Sequence, residues 1–216
     1  MKNENSLDNI ISTAFNYIGY WFYKDIRPSQ IPSEIKELLK EVKAISPSTI
    51  LEIGTYKGGT LYLFTRFLNP QRIITIDLPD AYPPEKIKFF RLFGPDKELY
   101  FLRSNSHSIE TVNRVSYILK SDKIDFLFID GDHSYKGVKL DFEMYRKFVR
   151  KGGIIAFHDI AHPKLGVIRF WNEIKYKYPS KEIIASDIEM LRYARRPSEM
   201  QGWGGIGILC LGTILK

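Results

Sequence analysis

The segment from Ile50 to Gly59, with the sequence ILEIGTYKGG, constrains the fold of this chain more than any other stretch. Its first residues have the character of a buried strand, a glycine-rich turn follows, and Thr60 to Leu68 is predicted to form a helix. Glycine is required where the backbone takes positive φ or approaches a ligand closely, and the start of a helix offers unpaired N–H groups and a positive dipole end. The segment therefore predicts a cradle for an anionic or nucleotide-like ligand.

The spacing of the glycines argues against two common phosphate-binding motifs. A dinucleotide fold uses G-x-G-x-x-G, and a phosphate loop uses G-x-x-x-x-G-K-[ST]. Here Glu52, Gly54, Gly58 and Gly59 form the pattern E-x-G-x-x-x-G-G. A dinucleotide oxidoreductase is therefore the least favoured enzyme class, while a plain glycine-rich turn of some other α/β protein stays open from this pattern alone.

The 216 residues fit one α/β domain with an N-terminal extension. Residues 1–32 are predicted as a helical arm, amphipathic from Ser6 to Tyr23, followed by a proline-punctuated linker, and residues 33–216 are predicted as the main domain. The arm could cover the open side of a ligand pocket, form a contact in a homo-oligomer, or pack onto its own domain. We favour packing onto its own domain.

The composition of the chain indicates which classes of partner and which cellular compartment to expect. The net charge is +7, but the lysines are spread over predicted helix faces, so a solvated surface is favoured over a nucleic-acid partner. The longest apolar stretch, Ile206 to Leu215, is far shorter than the roughly 20 residues of a membrane span. The N-terminus lacks the pattern of a signal peptide, and the lone Cys210 excludes an internal disulfide and a cysteine-built zinc site. We therefore expect a cytoplasmic protein with no membrane partner.

Apolar runs that alternate with helical patterns predict a doubly wound α/β fold with helices on both faces of a mostly parallel sheet. A helix is predicted from Ser33, as its N-cap, to the stop at Pro47, and Gly152-Gly153 is predicted to end a later helix. Other helices are predicted at Pro84–Phe93, from about Ile109 to Ile118, around Val138 to Val149, and at Lys164–Tyr178. Strands are predicted at Ile50–Ile53, Arg72–Asp77, Leu99–Arg103, Phe126–Ile129, Ile154–Phe157, Glu182–Ala185 and Gly205–Gly212. The polar insertion Ser186–Gly204 is predicted to govern substrate fit.

Polar side chains after the second and third predicted strands suggest contacts with a nucleoside. Asp77 ends the second strand, where nucleoside-binding α/β folds place a carboxylate on the ribose hydroxyls. Ser106 and His107 follow the third strand and are assigned to an adenine edge, with plain helix capping as the alternative.

The segment from Lys123 to Ile160 reads as a strand, a helix and a second strand, so the two strands are parallel and end at one edge of the sheet. Asp130 closes the first strand, and His158 and Asp159 close the second. Neighbouring strands lie about 4.8 Å apart. Asp130 and Asp159 can therefore converge on one cation, although strand-end carboxylates that serve only solubility are the simpler alternative.

The order of these elements, over about Ser33 to Leu211, resembles the seven-stranded sheet of class I S-adenosylmethionine-dependent methyltransferases, whose last strand is antiparallel. The pattern at Glu52 resembles motif I of that class, in which an acidic residue precedes the glycine turn that accommodates the methionine part of the cofactor. The resemblance implies S-adenosyl-L-methionine as the cofactor. The predicted cofactor-binding residues are Glu52, Gly54, Thr55, Tyr56, Gly58, Gly59, Asp77, Ser106, His107 and Asp130.

The motifs LEIGTYKGG, SNSHSIETV, FIDGDHSYKGVKLDF and GGIIAFHDI resemble more closely the group of cephalosporin-hydroxylase-like proteins and macrolide-sugar O-methyltransferases. This resemblance implies that Asp130 and Asp159 bind magnesium and that His133 is the catalytic base. His158 stands where that group carries the first residue of an acidic pair, so the predicted metal ligands are Asp130, His158 and Asp159. Imidazole suits Mn, Fe or Zn better than Mg²⁺. His162 could also approach the site, and for either histidine a structural hydrogen bond is the alternative to a metal contact.

The sequence therefore predicts a metal-dependent O-methyltransferase that uses S-adenosylmethionine, with Mg²⁺ or Mn²⁺, on a small sugar or polyol-like hydroxyl. Two alternatives are kept. A nucleic-acid methyltransferase is disfavoured because an N-P-P-[YF] sequence and a concentrated basic and aromatic groove are both lacking. A cofactor-binding module without catalysis is kept open by the substitution at His158.

Overall fold

The computed structural model describes residues 6–19, 25–186, 189 and 204–212. Its strands form a seven-stranded sheet: β1 (Thr49–Ile53), β2 (Arg72–Asp77), β3 (Glu98–Arg103), β4 (Ile124–Ile129), β5 (Val149–His158), β6 (Ser180–Ile183) and β7 (Ile206–Cys210). Its α-helices in the described ranges are α1 (Leu7–Asn16), α2 (Pro32–Ala44), α3 (Gly59–Leu63), α4 (Lys86–Phe90), α5 (Ile109–Leu119), α6 (Tyr135–Tyr145) and α7 (Gly166–Ile174). A π-helical turn (Phe64–Leu68) continues α3, and 3₁₀ turns continue α4 (Arg91–Phe93) and α6 (Arg146–Phe148).

The strand order β3-β2-β1-β4-β5-β7-β6 confirms the predicted sheet. Strands β1 to β5 pair in parallel, and β7 runs antiparallel to both β5 and β6. The order reverses at β1, which lies between β2 and β4. Ligands of open α/β sheets bind at such a reversal, outside the carboxyl ends of the strands.

Successive residues of the strands point to opposite faces of the sheet, and their side chains pack into two hydrophobic cores, one on each face. Ile50 of β1 joins α1, α2 and α3 in the first core, and its neighbour Leu51 joins α5, α6 and α7 in the second. This alternation is the period of two expected of a strand that is buried on both faces. The two-sided helical packing confirms the doubly wound architecture.

The arm contributes to the first core. Ser6 caps α1 by accepting a hydrogen bond from the backbone of Asn9, and Ile10, Ile11 and Ala14 are buried in that core. The helix is shorter than the predicted range from Ser6 to Tyr23, because it ends at Asn16; residues 20–24 lie outside the described part of the chain. The described part of the arm therefore packs onto its own domain.

Two local predictions were wrong. α2 begins at Pro32, and no side chain caps it, so Ser33 is not its N-cap. The fixed φ of proline suits the first helical position, where the missing N–H costs nothing. Gly152-Gly153 does not end a helix: α6 ends at Tyr145, and the glycines lie inside β5, where the pairing with β4 shifts register. Glycine within a strand often marks such a bulge.

The predicted insertion Ser186–Gly204 falls almost wholly outside the described residues. No helix in the described ranges combines the length and the apolar character needed to cross a membrane.

Candidate functional site

A cavity of about 1070 Å³ opens at the carboxyl ends of β1, β2, β4 and β5, where the strand order reverses. Ligand pockets commonly measure about 300–1,000 Å³, so this cavity has room for a nucleoside cofactor and a small second molecule. Predicted site residues that line it are Gly54, Tyr56, Asp77, Ser106, His107, Asp130, His133, His158 and Asp159. Further lining residues include Arg27, Pro28, Ser29, Asp132, His162 and Leu165.

The glycine turn is pressed between two neighbouring strands. The backbone N–H of Gly54 donates to Ile76 at 2.9 Å, and that of Asp130 donates to Ile53 at 2.8 Å. Gly54 has φ of +102°, and a Cβ there would lie 2.1 Å from the carbonyl oxygen of Asp130. Only glycine meets both requirements.

Asp77 connects this turn to the cavity wall. Its Oδ2 accepts a hydrogen bond from the backbone N–H of Tyr56 at 2.7 Å, and its Oδ1 accepts from Leu78 at 2.8 Å. Burial raises the pKa of Asp77 above its ordinary value, although these backbone bonds favour the ionised form. The carboxylate therefore both fixes the turn and faces the cavity, where a ribose hydroxyl could reach it.

Glu52 lies behind the turn and does not line the cavity. It is fully buried, and its Oε2 accepts a hydrogen bond from the hydroxyl of Thr75 at 2.7 Å. Thr75 in turn bonds the hydroxyl of Thr55. Burial raises the pKa of Glu52 to about 8, so the side chain is mostly protonated at pH 7. Gly58 and Gly59 are also behind the wall, packed against Phe90 and the arm.

Ser106 and His107, which follow β3, also line the cavity. The neighbouring Ser108 caps α5 by accepting a hydrogen bond from Glu110, so capping does not account for these two residues. His107 Nε2 lies 3.2 Å from Oδ1 of Asp141, a fully buried residue of α6. Burial raises the pKa of Asp141 to about 6.

Asp141 was not predicted from the sequence, although a signal is present. It stands on the apolar face of α6, close to Val138, Phe142 and Tyr145 in the helical repeat. A carboxylate on a buried helix face needs a partner. The position of that partner, His107 before α5, is visible only in the fold.

Asp130 and Asp159 follow β4 and β5, which are neighbours as predicted. His133 Nδ1 lies 2.8 Å from Asp159 Oδ2. His158 Nδ1 lies 3.1 Å from Asp130 Oδ1 and 3.4 Å from Asp159 Oδ1. Two aspartates and two histidines thus form one compact charged group at the floor of the cavity, a group we call the acid–histidine cluster.

The pKa values in the acid–histidine cluster follow from burial and charge. Burial of His158 disfavours its cation, but the carboxylates of Asp159 and Asp130 outweigh burial and raise its pKa to about 10. The hydrogen bond to Asp159 raises the pKa of His133 above its ordinary value. Burial opposes ionisation of Asp159, yet the two histidines hold its pKa below the ordinary value. Asp159 is therefore ionised, and the buried imidazole of His158 is charged.

The donor atoms of the cluster fit a divalent cation. Asp130, His133 and Asp159 each offer one ligand atom, and these atoms lie within 4.8 Å of one another. Oδ1 of the buried Asp159 has no hydrogen-bond partner among the described residues, as expected of an atom that a ligand completes. This group differs from the predicted set in one member: His133 takes the place of His158, whose Nδ1 is hydrogen-bonded to Asp130 Oδ1 at 3.1 Å.

Gln30 belongs to this site but was not predicted. Its side-chain amide donates a hydrogen bond from Nε2 to Asp130 Oδ2 at 2.6 Å, and the side chain is buried. The two residues are 100 positions apart in the chain. No local pattern in the sequence could indicate this contact.

Comparisons with known proteins agree with the fold and the cavity. The family described as "Methyltransferase domain" matches residues 51–160. A protein of Acanthamoeba polyphaga mimivirus is 37% identical over 163 residues, which cover 71% of this chain and 66% of that protein. A Dictyostelium discoideum protein named "Probable caffeoyl-CoA O-methyltransferase 2" is 25% identical over 120 residues, covering 55% of this chain and 50% of the relative. The chain thus spans less than two thirds of the length of these relatives.

Two solved structures have a similar fold. An O-methyltransferase from Bacillus cereus, in complex with SAH, has a TM-score of 0.60 at 15% identity, over 97% of this chain and 92% of that chain. The O-methyltransferase TomG from Streptomyces achromogenes, in complex with SAM, has a TM-score of 0.58 at 17% identity, over 98% of this chain and 92% of its own.

The sheet order, the glycine turn and the family match define an enzyme domain of the S-adenosylmethionine-dependent methyltransferase class. This chain belongs to the methyltransferase-domain family. The class predicted from the sequence is confirmed.

Replacing Gly54 by alanine should weaken cofactor binding by about tenfold or more, since a non-glycine residue in such a backbone conformation costs about 1–3 kcal/mol before the clash with Asp130 is counted. Calorimetric titration with S-adenosylhomocysteine measures the effect. Gly212→Ala is the matched control, because a Cβ at Gly212 would meet no atom closer than 3.6 Å. Equal affinity in the two variants would contradict this account of the turn.

Glu52→Gln should remove a pH dependence of stability. Between its ordinary pKa of 4.5 and about 8, Glu52 is protonated in the folded protein and ionised in the unfolded chain. Its stabilising effect is complete below pH 4.5 and declines as pH rises, by up to about 1.4 kcal/mol per pH unit. Urea denaturation from pH 5 to 8 should show a steeper decline of stability in the wild type and in the exposed control Glu143→Gln than in Glu52→Gln, where only the contributions of other groups such as His158 remain. Parallel profiles would refute a buried, protonated Glu52.

Proposed function

We propose that this chain transfers the methyl group of S-adenosylmethionine to a hydroxyl oxygen of a small acceptor, a sugar or another polyol-like molecule. The observation that carries the proposal is the pair formed by His133 and Asp159 at the cavity wall, with 2.8 Å between Nδ1 and Oδ2. The His133 side chain is 42% exposed, while that of Asp159 is only 8% exposed. A half-exposed imidazole held by a buried carboxylate is the arrangement of an oriented general base.

The two ends of the cavity suit two ligands. The glycine turn, Asp77 and His107 form the end we assign to the cofactor, with the ribose at Asp77 and the adenine at His107. His133, His162 and Ser29 belong to the acceptor end. Bound at the first end, S-adenosylmethionine would supply the methyl group: the acceptor oxygen forms a bond to the methyl carbon in line with the carbon–sulfur bond, which breaks, and S-adenosylhomocysteine is the leaving group.

His133 performs the proton transfer in this proposal. Asp159 Oδ2 accepts a hydrogen bond from the Nδ1–H group of His133, so the proton stays on Nδ1 and Nε2 is the basic nitrogen. Nε2 takes the proton of the acceptor hydroxyl as the oxygen attacks, and Asp159 stabilises the imidazolium that forms. Orientation of the two reactants in one cavity supplies much of the remaining rate enhancement.

A divalent cation, Mg²⁺ or Mn²⁺, is the second part of the proposal. Asp130 and Asp159 would hold it through carboxylate oxygens, which hard cations prefer. Nδ1 of His158 lies close to both aspartates, at the same place in the site. A cation held there would supply Lewis acidity that favours loss of the proton from the acceptor hydroxyl. The same ring of His133 cannot serve as cation ligand and base at once, so we assign it to the base.

Two observations outside the site also support a hydroxyl group as the methyl acceptor. The sequence motifs resemble those of macrolide-sugar O-methyltransferases, and the names of the Dictyostelium relative and of both solved structures describe O-methyltransferases. The polar character of the acceptor end, with His133 and His162, agrees with a hydroxylated molecule.

Methyl transfer is tested with radiolabelled S-adenosylmethionine and a panel of sugars and polyols, with Mg²⁺ or Mn²⁺ present. We expect transfer to at least one acceptor and a loss of about 10²–10⁴ in kcat for His133→Ala, the range for a general base. The affinity of that variant for S-adenosylhomocysteine should match the wild type, which serves as the control for folding. Full activity in His133→Ala would refute the assigned base, and cofactor binding without transfer across the panel would favour a non-catalytic module.

The cation part has its own test. Titration of Mn²⁺ into the protein, followed by electron paramagnetic resonance, should give a binding signal that Asp130→Ala abolishes, since one of the two carboxylate ligands is lost. Binding of S-adenosylhomocysteine should persist in that variant. Asp96→Ala, at an exposed residue before β3, is the matched control. Mn²⁺ binding that survives in Asp130→Ala would contradict the assigned ligands.

A further inference from the structure

The segment between α1 and α2, residues 25–31, runs across the cavity rim, and we call it the arm strap. Arg27, Pro28 and Ser29 of the arm strap line the cavity. Ile26 and Ile31, near its two ends, are fully buried. The arm strap is therefore anchored on both sides of the residues that face the cavity.

Charged contacts tie the start of the arm strap to the main domain. The carboxylate of Asp25 pairs with Lys57 of the glycine turn. Lys86, a buried residue of α4, donates a hydrogen bond to the backbone oxygen of Asp25 at 3.3 Å. These contacts hold the arm strap beside the turn that we assign to the cofactor.

Close packing fixes the path of the arm strap further. A Cβ at Gly59, the first residue of α3, would lie 2.2 Å from the carbonyl oxygen of Ile26 and 2.5 Å from the nitrogen of Pro28. The backbone of the arm strap thus rests directly on the first turn of α3. Its next polar residue, Gln30, is consequently held behind the residues that line the cavity, beside Asp130.

Gln30 reaches the acid–histidine cluster from this position. It is 3% exposed, and Nε2 donates to Asp130 Oδ2 at 2.6 Å. Its Oε1 is buried and has no hydrogen-bond partner in the described part of the chain. Burying a glutamine with half of its amide unsatisfied costs free energy, so a plain core position would favour an apolar side chain.

The two oxygens of Asp130 are divided between two donors. Gln30 holds Oδ2, and His158 Nδ1 faces Oδ1. Without the bond to Gln30 the carboxylate could rotate about its terminal torsion, because such torsions are broad. Hydrogen bonds to ligating carboxylates orient them, and their loss typically lowers metal affinity by about 10- to 100-fold.

We propose that Gln30 is a positioning residue of the cation site: its amide fixes Asp130 Oδ2, so that Oδ1 is presented toward Asp159. The inference rests on the cation site of the proposed function. It assigns to the N-terminal arm a direct part in the catalytic centre. The arm strap would join the cofactor turn, through Lys57 and Gly59, to the residues that hold the cation.

The test compares Gln30→Met with Gln71→Met in the full chain. Methionine nearly matches glutamine in length and tolerates burial but lacks the amide. Gln71 is exposed at the opposite end of the sheet, just before β2, so its substitution controls for the same chemical change. Mn²⁺ affinity is measured by electron paramagnetic resonance without acceptor, and S-adenosylhomocysteine affinity by calorimetry.

We expect Gln30→Met to weaken Mn²⁺ binding by about 10- to 100-fold, with cofactor affinity and thermal unfolding close to those of Gln71→Met. Gln30→Leu, also apolar, should give the same loss and covers the case in which the methionine variant does not fold. Mn²⁺ affinity equal to that of Gln71→Met would overturn the inference. So would an equal loss of Mn²⁺ and cofactor affinity, which would indicate general disruption of the arm strap.

A wild-type protein that binds no Mn²⁺ would overturn the inference as well. That outcome is distinguishable from failure of the proposed function, because methyl transfer is measured separately and can be assayed without added cation. Transfer without cation would leave the base and the acceptor class standing while removing the role of Gln30.

Discussion

At the carboxyl edge of this sheet, several acidic side chains are buried close together, and the folded structure depends on how their negative charge is compensated. Parallel pairing brings the ends of β1, β2, β4 and β5 together, and each of these strands carries an acidic residue in or just after its last positions. Each acid is accommodated differently. Glu52 keeps its proton, Asp77 accepts backbone N–H groups, and Asp159 is ionised beside histidines. Desolvation of a lone carboxylate would cost several kcal/mol, so these arrangements are a condition of folding as well as of binding.

Histidine is the residue that balances most of this charge. The chain contains four histidines, and all four line the cavity. His107 approaches Asp141, His133 pairs with Asp159, and His158 lies between Asp130 and Asp159. A histidine can gain or lose its proton near neutral pH, whereas a lysine or arginine in the same place would stay charged. Within the acid–histidine cluster this freedom is limited to the partly exposed His133, because the buried His158 stays charged.

The fold was largely predictable because its signals are local. The strand Arg72–Asp77 was predicted with its exact bounds, and the adjacency of Asp130 and Asp159 followed from the geometry of a strand-helix-strand unit. The errors concern the ends of helices and strands, at positions where contacts with a neighbouring residue or strand determine the local structure. Pro32 replaces Ser33 at the start of α2, and the pairing of β5 with β4 places Gly152 inside a strand.

The candidate site was predictable only in part, for the same reason. Residues at strand ends and in the glycine turn have fixed places in the topology, so the sequence could bring Gly54, Asp77 and Asp130 to one edge. Gln30 and Asp141 reach the site through contacts between distant segments, and they carry no motif. Sequence spacing also could not show that Glu52 lies behind the turn and away from the cavity.

The position of His158 explains why the acid–histidine cluster can exist in the form described here. Asp130 and Asp159 follow neighbouring parallel strands, and their Oδ1 atoms face a common nitrogen, His158 Nδ1. The buried imidazolium lies beside both carboxylates and holds the pKa of Asp159 below its ordinary value despite burial. A carboxylate at position 158 would add a third negative charge and leave His133 as the main positive partner of Asp159. A cation would then be needed to stabilise the folded site, whereas with His158 the carboxylates have a positive partner within the chain itself.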